Sequence, residues 1–280
     1  MTYETLCHKL MTIYEAGEAK AIARWVFDAC FGLSLADILC GKDTQLSAND
    51  QAELGKIALR LEKGEPVQYV IGMTDFCGRT FHVEPGVLIP RPETEELCHW
   101  ILEEDISQRK GCSVLDIGTG SGCIAITLAL GIPQAKVSAW DISEEALRIA
   151  QENVSTLKAE VTLENCDILH QSSQAFPQWD IIVSNPPYIK PLERHGMAKN
   201  VLDYEPDIAL FAPEENPIIF YQRIGDYAIR NLNPDGHLFF ELNPLTSIDV
   251  CNYLEALGFT HVEARQDQFG KQRFLKAIRI

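Results

Sequence analysis

Between Val114 and Leu130 an apolar strand, Val114-Leu115-Asp116-Ile117, runs directly into Gly118-Thr119-Gly120-Ser121-Gly122 and then into an apolar helix that begins at Cys123. A strand, a glycine turn and a helix in this order form a nucleotide-cradling unit. The backbone must turn sharply, and a ligand must approach main-chain amides without meeting a Cβ. The surrounding pattern agrees with such a unit. After Glu93, strand candidates at 113–117, 136–141, 161–164, 179–184 and 237–242 alternate with helical patterns. Alternation of this kind predicts an α/β fold with right-handed crossovers, a largely parallel sheet and ligands at the carboxyl ends of its strands.

The chain ahead of that region reads differently. Ser47 with Asp50 makes a capping box, Leu54, Ile57, Ala58 and Leu61 recur at helical spacing, and Gly64 can end the segment. An earlier run at Ile22, Val26, Ala29 and Cys30 behaves likewise. Residues 76–92 are short β-prone pieces broken by Gly78, Pro85, Gly86, Pro90 and Pro92, which suits a hairpin linker. The predicted organisation is therefore a small all-helical domain over 1–75, a hairpin linker over 76–92 and the α/β domain over 93–280.

Composition narrows the setting. An apolar share of 46% in 280 residues suffices for a packed core. The apolar stretch 123–133 is shorter than the roughly 18 residues that would cross a bilayer. Glu4 and Glu15 stand where a leader would be basic, so a cytoplasmic, membrane-free protein is expected. None of the nine cysteines pairs at C-x-x-C spacing, so reduced thiols and no metal are expected. Forty acidic against 24 basic side chains give a net charge of −16, which disfavours a nucleic-acid substrate.

The spacing within the glycine loop identifies its ligand class. The dinucleotide fingerprint needs a glycine at position 123, where this chain has Cys123. The G-x-G-x-G form resembles the first motif of Rossmann-like class I methyltransferases, which implies S-adenosylmethionine bound by Gly118, Thr119, Gly120, Ser121 and Gly122. Asp141 closes the second strand 19 residues beyond Gly122, where a carboxylate reaches two ribose hydroxyls. The competing reading of Asp141 is a charge at the start of the helix that Ser143 begins. Asp167, after the third strand, is a candidate acceptor for the adenine amino group, or simply a turn aspartate.

The fourth strand delivers Asn185-Pro186-Pro187-Tyr188 to the same sheet edge. Two prolines make this turn stiff. An amide nitrogen is a poor nucleophile, because its lone pair is delocalised, so an enzyme acting on one must hold its N–H groups. The Asn185 side-chain oxygen and the Pro186 carbonyl can each accept one N–H, and Tyr188 can pack on the planar group. Those contacts favour a developing positive nitrogen in an in-line displacement at a sulfonium methyl, with no strong base required.

Asn-Pro-Pro-Tyr alone leaves the substrate open among adenine, RNA and protein glutamine. Other segments narrow it: Glu65-Pro66-Val67-Gln68-Tyr69 with Gly72, the run from Leu88 to Glu95, Tyr204-Glu205-Pro206 with Ala209-Leu210-Phe211, and Asp267, Gly270 and Arg273. Together they resemble the PrmC/HemK family of peptide chain release factor N5-glutamine methyltransferases over nearly the whole chain. The resemblance implies that the substrate is the Gly-Gly-Gln glutamine of peptide chain release factors 1 and 2, bound by Asn185, Pro186, Pro187 and Tyr188, with Asn185 also near the methyl donor. It implies a docking role for the helical domain, and a place for Arg91 and Glu93 near the cofactor entrance, where a linker ion pair is the alternative.

The chain departs from the family at two places. Ile168 stands where many relatives carry an aromatic residue, and Glu241-Leu242-Asn243 leading to Thr246 replaces a Glu-Ile-Gly run followed by glutamine. Neither position is assigned a role from the resemblance. Two other functions are set against this one. An exocyclic-amine methylase acting on adenine N6 or guanine N2 of nucleic acid predicts a basic groove. A non-catalytic adaptor predicts a damaged donor or acceptor site.

Overall fold

The structure, a computed structural model, describes residues 1–171 and 178–280. Helices α1 (Tyr3–Leu10), α2 (Ala16–Phe31), α3 (Leu35–Leu39), α4 (Ala48–Leu61) and α5 (Val67–Ile71) lead into a hairpin of β1 (Met73–Phe76) and β2 (Arg79–His82). After α6 (Pro92–Glu103), strands β3 (Ser113–Ile117), β4 (Lys136–Asp141) and β5 (Val161–Asn165) alternate with α7 (Cys123–Gly131) and α8 (Glu144–Leu157). Strand β6 (Trp179–Ser184) precedes the short α9 (Lys199–Tyr204) and α10 (Asp207–Leu210). Then come α11 (Ile219–Asn231), β7 (Leu232–Glu241), α12 (Ser247–Leu257), β8 (Thr260–Gln266) and β9 (Gln272–Ile278).

Two compact units result: Met1–Met73 with Met197–Tyr204, and Thr74–Gly196 with Glu205–Ile280. In the first, α4 starts at the Ser47–Asp50 capping box, with both of its reciprocal bonds made. Its apolar face joins Leu6, Leu10, Val26 and Phe27 in one cluster. The Arg60 guanidinium pairs with Glu65 and donates to the carbonyls of Tyr69 and Val70, which fixes the turn into α5. Helix α9 rejoins this unit from far downstream, and the Tyr204 hydroxyl donates to the Lys63 carbonyl at 3.2 Å. Proximity along the sequence gave no hint of that return.

In the second unit, seven strands among the described residues form one sheet in the order β5-β4-β3-β6-β7-β9-β8. The pairs from β5 to β7 are parallel, and β9 runs antiparallel to both β7 and β8. The central strands are mostly apolar because both faces are covered. Val114, Ile181 and Val183 enter one core with Leu97, Ile101 and Leu128, whereas Leu115 and Ile182 enter the other with Tyr221, Ile224 and Leu254. Register sets the functional edge: Ile117 lies opposite Trp140 on one side and Ser184 on the other.

Two features depart from the sequence reading. Strand β7 starts at Leu232, not at His237, because Asn233-Pro234-Asp235-Gly236 bulges out between the Trp179–Leu232 and Ile181–His237 pairs. The antiparallel β8–β9 edge was not foreseen. Its strands are rich in charged residues, and their half-burial depends on pairing partners distant in sequence.

Gly122 caps α7 at φ 81°, and a Cβ there would lie 3.2 Å from Ile126 Cδ1 and 3.3 Å from the Ala150 Cβ. Left-handed backbone alone costs about 1–2 kcal/mol for a residue with a Cβ, and the crowding adds to it. Gly122→Ala is therefore expected to lower the urea midpoint of the α/β unit, as followed by tryptophan fluorescence. An unchanged midpoint would show that α7 and α8 can part at no cost.

Candidate active site

The glycine loop is tied to the strand beside it. The Gly118 and Thr119 N–H groups both donate to the Trp140 carbonyl, at 2.8 and 3.0 Å, and the Gly120 N–H donates to Asp141 Oδ2 at 2.8 Å. These amides, which the sequence reading offered to a ligand, are spent on holding the turn. Gly118 and Gly120 sit at φ 76° and 56°, and a Cβ at either would meet nothing within 4 Å. Glycine is required there by backbone conformation, and Gly122 by packing.

Asp116 lies beneath the loop, fully buried. Its Oδ2 accepts from Thr119 Oγ1 at 2.6 Å and from the Ala125 N–H at 3.2 Å, while its Oδ1 has no partner. Burial pushes this carboxyl up to about 7, against the pull of those two donors. Asn153, buried on α8, was also missed from sequence. Its amide donates to the carbonyls of Ser121 and His82 and accepts from the His82 N–H, which joins the loop to the hairpin.

A cavity of about 250 Å³ opens at this edge. Gly118, Thr119, Gly120, Ser121, Asp141, Asp167, Asn185, Pro186 and Pro187 all line it. Gly122 and Tyr188 do not: the first packs on α8, and the second stands behind the loop with its hydroxyl donated to Glu241 Oε1 at 2.9 Å. Each Asp141 oxygen takes one backbone N–H, from Ser143 or Gly120, and burial raises its pKa despite them. Asp167 is engaged locally, by the Leu169 N–H and the His170 ring.

The walls fit an adenosine-type cofactor. Asp141 retains lone pairs for vicinal hydroxyls, and Ile142, Ile168 and Leu169 supply an aliphatic slot for a flat base. Ile168 thus lines the cavity where an aromatic residue would stack. Arg91 pairs with Glu205 at 2.5 Å, and the Ile89 N–H donates to the other Glu205 oxygen. That pair draws the segment after Tyr204 against the linker, and Ile208 and Ala209 reach the cavity wall. Arg91 is thus engaged in an ion pair with Glu205, a residue outside the linker.

Behind Asn185 lie residues that the sequence reading left unassigned. Asn185 Nδ2 donates to Thr94 Oγ1 at 3.2 Å, and Thr94 Oγ1 donates to Glu241 Oε2 at 2.7 Å. The Asn243 side chain donates to the Tyr188 carbonyl and to Glu193, bracing the far end of the loop. The available signal is a carboxylate set within the otherwise apolar run from Leu238 to Leu242.

Solved structures share this architecture. A methyltransferase from Pyrococcus furiosus superposes with a TM-score of 0.52 at 20% identity, over 83% of this chain and 98% of that one. The 16S rRNA N2 G1207 methyltransferase of T. thermophilus gives 0.55 at 21% identity, over 74% of this chain and 50% of that one. Residues 97–203 match the methyltransferase small domain. These likenesses show the fold of the Rossmann-like methyltransferases.

Sequence relatives narrow the class. Residues 8–72 match the PrmC N-terminal domain. The release factor glutamine methyltransferase of Bacteroides thetaiotaomicron is 47% identical over 96% of both chains, and that of Flavobacterium psychrophilum is 39% identical over 95% of this chain and 94% of its own. This chain belongs to the release factor glutamine methyltransferase family.

Asp116 generates a pH prediction. Its folded pKa, about 7, lies above the ordinary 3.8, so the folded state binds the proton more tightly than the unfolded chain. Its contribution to stability is full below the unfolded value and is lost as pH rises through the folded one. Between about pH 5 and about pH 8.5 the melting temperature of the wild type should fall more steeply than that of Asp116→Asn, which has no proton to lose. Parallel curves would show that Asp116 does not titrate in this range.

Proposed function

We propose that this chain transfers the methyl group of S-adenosylmethionine to the side-chain amide nitrogen of the Gly-Gly-Gln glutamine in peptide chain release factors 1 and 2. The observation that carries the reading is the meeting of the glycine loop, Asp141 and Asn185-Pro186-Pro187 on one cavity wall. Gly118 to Gly122 and Asp141 are assigned to the cofactor, with Asp167 on the adenine side. Asn185, Pro186, Pro187 and Tyr188 are assigned to the glutamine, Tyr188 as the anchor of the loop.

When bound, S-adenosylmethionine supplies a methyl group on a sulfonium, open to in-line displacement. The residues of this chain do the rest. Asn185 Oδ1 and the Pro186 carbonyl accept the two N–H bonds of the glutamine amide and leave its lone pair pointing at the methyl. As charge develops on nitrogen, both contacts strengthen, which is the differential binding that lowers the barrier. The methylated nitrogen is acidic and loses a proton after transfer, so no buried base is needed.

The remaining assignments follow from the same reading. The helical residues 1–75 are assigned to holding the protein substrate, residues 76–92 to the linker and residues 93–280 to transfer. Exposed Leu192 and Leu245 flank segments that Asn243 ties together, and offer apolar surface to a protein partner. The net charge of −16 supports a protein over a nucleic-acid substrate. Among the described residues, no three His, Cys, Asp or Glu side chains could hold a metal and no helix is long and apolar enough to cross a membrane. The proposed reaction calls for no metal, since displacement at a sulfonium methyl needs none, and it is assigned to the cytoplasm, where its release-factor substrates act.

The test is incubation with methyl-labelled S-adenosylmethionine and, separately, a bacterial class I release factor, its Gly-Gly-Gln→Gly-Gly-Ala variant, and mixed DNA and RNA. Label is expected on the wild-type factor alone, and label on nucleic acid would overturn the assignment. Asn185→Ala should cut turnover by roughly 10² while leaving cofactor affinity, measured by calorimetry, nearly intact. Near-normal turnover would remove Asn185 from the mechanism.

A further inference from the structure

The side-chain amide of asparagine has a donor end and an acceptor end of nearly equal shape, and only its neighbours decide which end faces where. Asn185 is useful to an incoming N–H only if its oxygen is turned that way. Thr94 and Glu241, both outside the loop, set that direction.

Glu241 ends β7 and is 1% exposed. Its Oε1 accepts from the Tyr188 hydroxyl and its Oε2 from Thr94 Oγ1, and its backbone carbonyl accepts from Tyr221. Thr94, in the first turn of α6 and 2% exposed, has a single hydroxyl proton, and the carboxylate takes it at 2.7 Å. Only lone pairs are left on Thr94 Oγ1, and Asn185 Nδ2 lies 3.2 Å from them. An amide facing those lone pairs must present its NH2 group, so its Oδ1 is turned away from Thr94. The orientation follows from a count of donors along the chain of bonds.

We propose that Glu241 and Thr94 are positioning residues that lock the Asn185 amide with its oxygen towards the acceptor nitrogen, and so set the rate of methyl transfer through Asn185. The inference deepens the proposed function and rests on its assignment of Asn185 to the acceptor. Thr94 lines the cavity, whereas Glu241 lies off its wall and acts through the Thr94 and Tyr188 hydroxyls it holds.

The experiment uses the full chain as wild type, Thr94→Val, Thr94→Ser, Asn185→Ala and the double variant Thr94→Val with Asn185→Ala. Valine keeps the shape of threonine and removes the hydroxyl, whereas serine keeps the hydroxyl. Thr94→Val is expected to lower kcat on the release factor roughly tenfold, the scale of one lost buried hydrogen bond, with KM and the cofactor Kd within about twofold. Thr94→Ser should restore kcat to within about threefold of wild type, and in the Asn185→Ala background Thr94→Val should change kcat by less than about twofold, because no amide remains to orient. Losses that simply multiply would overturn the proposal.

A second readout needs no acceptor. The Asn185 side-chain NH2 resonances, assigned by their absence in Asn185→Ala, should exchange slowly with solvent in the wild type and in Thr94→Ser, and rapidly in Thr94→Val. Unchanged exchange in a folded Thr94→Val would also overturn the lock. A wild type that methylates no release factor would sink the functional reading instead, and this readout would still decide the lock.

Discussion

Three parallel strands finish level with one another, and the site depends on that register. Ile117 lies beside Trp140 and beside Ser184, and the Ser184 hydroxyl donates to the Ile117 carbonyl at 2.6 Å, which pins the ends of β3 and β6 together. The next residues, Gly118 and Asn185 leaving β3 and β6 and Asp141 ending β4 against Asn165, therefore stand at one height. A slip of one residue in either pair would turn every side chain of that strand to the opposite face. Buried apolar side chains on both faces of β3 and β6 make such a slip costly. The cavity is in this sense a product of the core: the glycine loop and the Asn185 loop meet because the strands beneath them cannot slide.

The site also carries buried carboxylates, and their surroundings explain why each is tolerated. The desolvation of a carboxylate costs several kcal/mol after relaxation, and each hydrogen bond to the charged form returns about 1.5–3 kcal/mol. Glu241 has two hydroxyl donors and the nearby Arg273 guanidinium, all of which oppose the upward push of burial. Asp141 has two backbone N–H donors and a face on the cavity. Asp116 has two donors on one oxygen and none on the other, and it is the one of the three raised as far as about 7.

Much of this was legible in the sequence. The bounds of β3, β4 and β6 follow from short, mostly apolar runs, and the glycine loop and Asn185-Pro186-Pro187 announce themselves because their physical demands are local. Positive φ favours glycine and proline stiffens a turn, so each is written at the residue where it acts. What was not legible depends on partners far along the chain. Strands β8 and β9 look like charged loops until they pair, α9 shows no sign of joining the helical unit, and Asn153 reads as one more polar residue of a surface helix until the His82 and Ser121 carbonyls are placed beside it.

The same distinction applies within the acceptor loop. Asparagine at 185 can be read from the motif, but the direction in which its amide points cannot, because that information sits 91 residues away in Thr94 and, through Thr94, in Glu241 on the other side of β6. Both are easy to dismiss: a threonine in a first helical turn usually serves the helix, and a glutamate ending a strand usually meets solvent. Here Thr94 is no cap, since Arg91 holds the N-cap position, and Glu241 is sealed beneath the sheet edge. A polar residue that takes neither of its ordinary roles, in a place where burial is expensive, has to be explained by what it holds. For Thr94 and Glu241 that is the Asn185 amide, whose polarity the proposed chemistry needs fixed.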